Sequence, residues 1–460
     1  MSHVNRTMIG ALGQFRSHPS PQLTRGLSAS DAHFRALPVG RGDAFYLRTA
    51  AGSVLVDGGF GRYALPNLFR KYVRRTFVDV LIVTHNDADH ANGIAGFLKS
   101  SLEAAEIWLP GRFLQVLPYL LSPWETVVDE LVARVSVMHD DQLMVPVAHE
   151  PSFRPSSDPS YRSQLLGIEH RRQESPQSIV QRYAEAIAPT IQEQESGETA
   201  AQHSPSRVGR AREPSELVVD DGGWPLEVLA SLEACAEFEV GLGWEFVSHR
   251  RDWQLIDALF QDPYRREFAR GIVVAAHRIR EIALAAYERG VIVRWFEHAP
   301  HAPGGGLPWL QPLSAREVAR VRRAPPEKLL EYLALTVFNR QSLVFWALPL
   351  GEHGGVLFTS DSDLDGIRLP EVLQGAIVTA PHHGSQHNAQ AYARVNQAVW
   401  WVRSDARVRS RPCSQYLVAP GQRICTVCRG SLTPKQSVIL WAVGGYWQAD
   451  PRVRTCLCSP

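Results

Sequence analysis

The sequence has no run of about 20 apolar residues, the length a bilayer-spanning helix needs, so no transmembrane helix is expected. It has almost no charge imbalance. With 48 Lys and Arg against 47 Asp and Glu, the formal net charge is +1, which removes global electrostatics as an argument for nucleic-acid binding. Met1 to Gly26 is polar and lacks the long apolar core of a secretory signal, so a cytoplasmic chain is expected. Cysteine is sparse, six in 460 residues, and five of the six fall late, at Cys413, Cys425, Cys428, Cys456 and Cys458. Residues 150–216 are short of aromatics and rich in Ser, Pro, Glu, Gln and Arg. Such a stretch cannot bury enough surface to offset its ordering entropy, so part of it is expected to be loop or disordered. The rest has the apolar fraction of an ordinary globular protein, with length for two or three domains.

Against this plain background one segment is dense in chemistry: His85-Asn86-Asp87-Ala88-Asp89-His90. It follows the apolar run from Val78 to Thr84, which reads as a buried strand. Imidazole nitrogen and carboxylate oxygen are the donors that divalent zinc or manganese accept. Four of them in six residues, with small neighbours Asn86, Ala88 and Gly93, suit a tight turn around an ion. A solvated polar turn is the alternative, with Asp89 capping a helix that begins near Ala91.

The loop resembles the histidine-aspartate signature of the metallo-β-lactamase superfamily, usually His-x-His-x-Asp-His, with Asp87 in place of the second His. That variant is similar to the ComEC-like branch, the hydrolase domain of the competence DNA-uptake protein. Other segments agree in order: Val39-Gly40-Arg41-Gly42-Asp43-Ala44, Val54-Leu55-Val56-Asp57-Gly58-Gly59, Asn339-Arg340-Gln341-Ser342-Leu343-Val344, the strand leading to Asp361, and Ala380-Pro381-His382-His383-Gly384-Ser385. The resemblance covers about 33–115 and 290–405. It implies an α/β fold, the metallo-β-lactamase αββα sandwich, here with a large, mainly helical insertion and a Cys-containing C-terminal extension.

The same resemblance implies a two-metal site, with zinc or manganese as the ions. His85, Asp87 and His298 would face one ion. Asp89, His90 and one of His382 or His383 would face the other. Asp361 would bridge them, and Asp57 would orient ligands from behind, as metal-bound imidazoles require. Asp89, Asp361, His382 and His383 are the residues expected to take part in catalysis. The sequence leaves open which of His382 and His383 binds metal, whether His298 or His301 serves at that position, and whether Asp363 or Asp365 competes with Asp361. Asp87 in place of His hardens one ligand set and shifts preference toward manganese.

The domain reading is a flexible leader over 1–30, one half of the sandwich over 31–115, an insertion over 116–289, the second half over 290–405, and C-terminal strands with the Cys-rich extension over 406–460. A weak helix is expected at 176–191. Phe268, Ile272, Ala275, Ile279, Ile282 and Ala286 fall at helical spacing and predict an amphipathic helix ending at Gly290. Its stripe reads as core, and the insertion is placed over or beside the metal cleft. Cys425, Cys428, Cys456 and Cys458 can make a structural zinc site or remain unlinked thiols. Arg403, Arg407, Arg409 and Arg411 can grip a phosphate backbone or form a solvated face.

Together these readings imply a hydrolase using the hydroxide of a dinuclear site. The first expectation is a phosphodiesterase or nuclease acting on DNA, an effector of a bacterial defence system. Fold alone does not set substrate. A small-molecule hydrolase of lactones, cyclic nucleotides or phosphoesters is the second expectation. A subunit dormant until a protein partner from a multi-gene system engages it is the third.

Overall fold

The computed structural model describes residues 32–138, 216–239, 247–334, 341–348, 354–371, 373–395, 397–404, 411–428 and 435–458. The expected leader (1–30), the helix at 176–191, the polar stretch up to 215, and Asn339, Arg340, Arg407 and Arg409 lie outside them. The strands in chain order are β1 His33–Ala36, β2 Phe45–Arg48, β3 Ser53–Val56, β4 Phe77–Ile82, β5 Glu103–Pro110, β6 Glu216–Val218, β7 Ile292–His298, β8 Leu310–Pro312, β9 Ala315–Val318, β10 Arg320–Arg322, β11 Phe345–Ala347, β12 Val356–Phe358, β13 Ile377–Thr379, β14 Trp400–Arg403, β15 Gln422–Cys425, β16 Val438–Val443 and β17 Tyr446–Ala449. The α-helices are α1 Ala64–Leu68, α2 Ala88–Leu98, α3 Gly111–Leu120, α4 Trp124–Ser136, α5 Leu226–Glu239, α6 Val247–Leu259, α7 Pro263–Glu288, α8 Leu329–Leu333, α9 Ala389–Arg394 and α10 Ser414–Val418.

Two large sheets form the inner layers. One has nine strands in the order β17-β16-β1-β2-β3-β4-β5-β7-β9, the other six in the order β15-β14-β13-β12-β11-β8. Side chains on one face of a strand alternate with those on the other, so each strand feeds two layers at once. Phe34, Phe45, Val54, Val56, Ile82, Trp108 and Phe296 of the first sheet meet Phe345, Val356, Phe358, Ile377 and Val402 of the second in one buried apolar cluster. Burying each such side chain contributes about 1.5–3 kcal/mol. The alternate residues, such as Leu55 and Leu81, face the helices over the nine-stranded sheet, while Leu357, Val378 and Trp401 face those over the six-stranded sheet. The result is the expected four-layer αββα sandwich.

The insertion helix is present as α7, and its ends follow local chemistry. Asp262 caps the N-terminus, accepting from the backbone N–H of Tyr264 and Arg265, with Pro263 at the first position. At the C-terminus Gly290 takes φ +61°, and Val291 N donates to Ala286 O while Gly290 N donates to Tyr287 O, a Schellman closure. Ile272, Ala275, Ile279, Ile282 and Ala286 are buried. Ile272, Ile279, Ile282 and Ala286 share one core cluster with Leu55, Leu81, Ile94 and Leu117. The helix is therefore part of the outer layer over the nine-stranded sheet. Helix α3 runs across the expected boundary at residue 115. Among the described residues, no helix is long and apolar enough to cross a membrane.

Candidate metal centre

Strands β3 and β4 are parallel neighbours in one sheet, and β12, β13 and β14 are parallel in the other. Their C-terminal ends carry the loops with Asp57, His85–His90, Asp361, His382–His383 and Ser404. Helix α2 begins at Ala88, three residues earlier than the apolar periodicity indicates, so Asp89 and His90 lie in its first turn and Asp87 is the N-cap residue. The early start is held by a backbone clasp: Gly58 N donates to His90 O at 2.7 Å and Gly93 N to Gly59 O at 3.0 Å. A Cβ on Gly93 would sit 1.9 Å from Gly58 O, so the approach of helix and turn requires glycine there.

Asp361 is the hub, and its two oxygens face different sides. Oδ1 lies 3.2 Å from His90 Nε2 and 3.9 Å from His383 Nε2; Oδ2 lies 3.6 Å from His85 Nε2 and 3.4 Å from His382 Nε2. Asp87 Oδ2 lies 3.6 Å from His85 Nε2, and Asp89 Oδ2 lies 3.5 Å from His383 Nε2. Two overlapping clusters result. His85, Asp87 and Asp361 place one donor atom each within 4.8 Å of one another, as do Asp43, His90, Asp361 and His383. All of these residues are buried.

Each imidazole is aimed from behind. His90 Nδ1 bonds Asp57 Oδ2 at 2.8 Å, and Asp57 is itself held by the N–H and hydroxyl of Thr84. His85 Nδ1 faces Thr84 Oγ1 at 3.0 Å and Ser360 Oγ at 3.3 Å. His383 Nδ1 faces Asp43 Oδ1 at 3.0 Å and the Ser404 carbonyl at 3.1 Å. His382 Nδ1 faces Asn388 Oδ1 at 3.1 Å. For His85, His90 and His383, Nδ1–H donation leaves Nε2 free to bind a metal. Holding these orientations strains the backbone: Asp57, Ser360, His382 and His383 all have φ between +45° and +58°, a region non-glycine residues avoid.

The residues fit a pair of cations. His85 Nε2, His90 Nε2, Asp361 Oδ1 and Asp43 Oδ2 are buried polar atoms with no hydrogen-bond partner, a state that costs free energy unless something binds them. The electrostatics agree. Burial and the neighbouring His90 push the His85 imidazolium down, yet Asp361 and Asp87 outweigh them and raise it to about 9. Burial opposes charge on His90 and His383 as well, but Asp361 and Asp57 for the first, and Asp43, Asp89 and Asp361 for the second, hold both well above the ordinary value. Burial would raise Asp361, but His382, His90 and His85 keep it well below the carboxylate range. Protons on imidazoles stand where positive metal charge would. His382 differs: burial lowers it, Asp361 opposes and Arg411 reinforces, leaving it at about 4. Its Nε2 accepts from Arg411 Nη2 at 2.9 Å.

The sequence-derived set divides accordingly. His85, Asp87, Asp89, His90, Asp361, His382 and His383 are brought together, with Asp57 behind them. His298, at the end of β7, is half-buried beside Arg112, and burial and that guanidinium both lower it. It belongs to neither cluster. His301 is exposed near Gly366. Arg403 requires a correction. It is 1 % exposed, and its N–H groups face the sulfurs of Cys425 and Cys458 and the Val427 carbonyl, so it is not available to a phosphate backbone. Arg411, by contrast, lies at the centre. Cys425, Cys428, Cys456 and Cys458 converge on a separate point.

Two residues escape sequence reading. Asp43 performs for His383 what Asp57 does for His90; its only sequence mark is the Gly40-x-Gly42-Asp43 turn, where a Cβ on Gly42 would lie 1.7 Å from Asp89 O. Arg278 of α7 is buried and bonds the Asn86 carbonyl and, at 2.7 Å, Asn92 Oδ1, with Asp87 and Asp89 as electrostatic neighbours. No curated protein matches the chain. Residues 37–102, from the end of β1 through α2, match the family model of the Metallo-beta-lactamase superfamily, and with the clustered donors of the second sheet they form a candidate metal centre of the kind a metal-dependent hydrolase uses.

Proposed function

We propose that this centre hydrolyses phosphodiesters and that its substrate is DNA. The observation that carries the hydrolytic reading is Asp361, whose two oxygens face two separate imidazole sets. Divalent cations held there would acidify and position a water and neutralise charge on a phosphoryl group. The protein's own part is to keep His85, Asp87 and Asp361 on one side and His90, His383, Asp89 and Asp361 on the other. His90 and His383 keep their orientation because Asp57 and Asp43 hold their Nδ1 atoms.

Phosphodiester specificity is supported by two features. Arg411 bonds His382, whose Nε2 lies 3.4 Å from Asp361 Oδ2; a guanidinium beside an anionic centre offers N–H donors to phosphate oxygens. The ComEC-like order of motifs supports DNA in particular. In this reading His382 accepts an N–H from Arg411 and holds the guanidinium toward the substrate.

The test is cleavage of plasmid and single-stranded DNA in manganese or zinc, with bis(p-nitrophenyl) phosphate and a lactone in parallel. Manganese-dependent DNA cleavage that Asp361→Ala abolishes is the expected result. Turnover of the lactone alone, with DNA intact, would overturn the substrate reading and leave a small-molecule hydrolase. Activity appearing only after a co-purified partner is added would instead mark the chain as a dormant effector subunit.

A further inference from the structure

Four of the five late cysteines, Cys425, Cys428, Cys456 and Cys458, form a second centre that shares no ligand with the first. Cys425 ends β15, and Cys428 follows three residues on. The chain returns after β17, and the segment around Cys456 lies alongside β15: Cys456 N donates to Arg423 O at 2.9 Å. Gln436 ties the two segments together, its amide donating to the carbonyls of Cys425 and Arg454 at 2.9 Å each and accepting from Arg454 N at 3.0 Å. The four sulfurs lie within 4.8 Å of one another. Cys425 and Cys456 Sγ are 3.1 Å apart, and none of the four is in a disulfide. A tetrahedral zinc with Zn–S bonds of about 2.3 Å sets sulfurs about 3.8 Å apart, so a single ion fits within the group.

The surroundings suit thiolates. Leu457 N donates to Cys428 Sγ at 3.3 Å and Cys458 N to Cys456 Sγ at 3.4 Å. Arg403 directs Nε at Cys425 Sγ (3.4 Å) and Nη2 at Cys458 Sγ (3.6 Å). A thiol is a weak acceptor, whereas a buried guanidinium needs negative charge nearby. Four thiolates around one divalent ion leave a net charge of −2, which Arg403 partly offsets. Soft sulfur ligands in a closed set of four select zinc in a structural role.

We propose that Cys425, Cys428, Cys456 and Cys458 bind one zinc ion that fastens the C-terminal segment to β15 and, through Arg403, braces the end of β14. The brace reaches the hydrolase centre, because the next residue, Ser404, accepts from His383 Nδ1 with its carbonyl and donates to Gly42 O at 2.9 Å with its hydroxyl. The ion is a positioning element there and takes no part in the reaction.

The experiment uses the full-length chain purified under reducing conditions without chelator. After dialysis against EDTA to empty the hydrolase centre, about one zinc per chain is expected to remain, released by an organomercurial together with four titrated thiols. Zinc-edge X-ray absorption on that material should show four sulfurs at about 2.3 Å. Asp361→Ala should keep this ion, which separates the outcome from any failure of the hydrolase reading. A Cys456→Ser, Cys458→Ser double variant should lose it; if that variant does not fold, the absorption spectrum of the wild-type chain decides alone. A chain with no retained zinc and four free thiols, a Cys425–Cys456 disulfide, iron in place of zinc, or a zinc shell of nitrogen and oxygen only would overturn the proposal.

Discussion

Asp57 and Asp43 show how much of a metal centre lies behind its ligands. Asp57 lies outside the donor clusters and Asp43 within one, yet each fixes the tautomer and direction of an imidazole by binding its Nδ1. Removing such a partner typically costs 10–100-fold in metal affinity. Asp57→Ala and Asp43→Ala should each weaken metal binding by about that factor, measured by competition with a chromophoric chelator. Affinities equal to wild type would mean that the imidazoles are held by other groups. The contrast between the two residues also shows what is legible. Asp57 stands in a strand-turn motif that marks it. Asp43 sits in a glycine-rich turn and acquires its role only because a segment some 340 positions away supplies His383. Arg403 was open to misreading for the opposite reason: an arginine in a basic run reads as surface, and nothing local announces that sulfurs from β15 and the C-terminal segment enclose it.

At the scale of elements, the long insertion helix α7 was legible from its periodicity, cap and terminal glycine. Its destination was not. It packs on α2, and Arg278 holds the carbonyl of Asn86 within the metal loop. The neighbouring α6 carries a buried carboxyl, Asp252, which accepts from Trp124 Nε1 at 3.0 Å. Burial raises it to about 7, with the Trp124 hydrogen bond and Arg251 only partly opposing. The sign follows from linkage. Between about pH 4 and pH 7 the folded state keeps a proton that the unfolded state has lost, so stability falls with rising pH across that window and is flat above it. The displacement corresponds to about 4 kcal/mol at most. Asp252→Asn should therefore raise the thermal midpoint relative to wild type at pH 8 and leave it unchanged near pH 4. A variant equally or less stable at pH 8 would show that the ionised carboxylate is accommodated.

At the scale of the whole molecule, the centre exists only when both sheets are packed. Its residues run from Asp43 to Ser404, and the two sheets meet through the apolar layer containing Trp108, Phe345 and Phe358. Any ion that binds this assembled set and not the unfolded chain stabilises the fold, by about 2.7 kcal/mol at a hundredfold excess over Kd. Manganese or zinc should raise the melting temperature by several degrees and EDTA should reverse the change, read by calorimetry. Binding displaces protons from His85, His90 and His383, so the rise should be larger at pH 8 than at pH 6. A melting temperature indifferent to metal at both pH values would count against the cluster as a metal site.

Local sequence alone determined which strand ends carry ligands, because an apolar run, a tight turn and a donor group are all properties of neighbouring residues. It marked His85 to His90, Asp361 and the His382–His383 pair, and it marked α7 from cap to closing glycine. Tertiary structure alone decided which donors share an ion, that Asp361 divides its oxygens between two sets, that His298 stands apart, and that Arg403 serves a sulfur cluster. These outcomes depend on how two sheets and their outer helices pack, and packing joins residues whose separation along the chain carries no local signal.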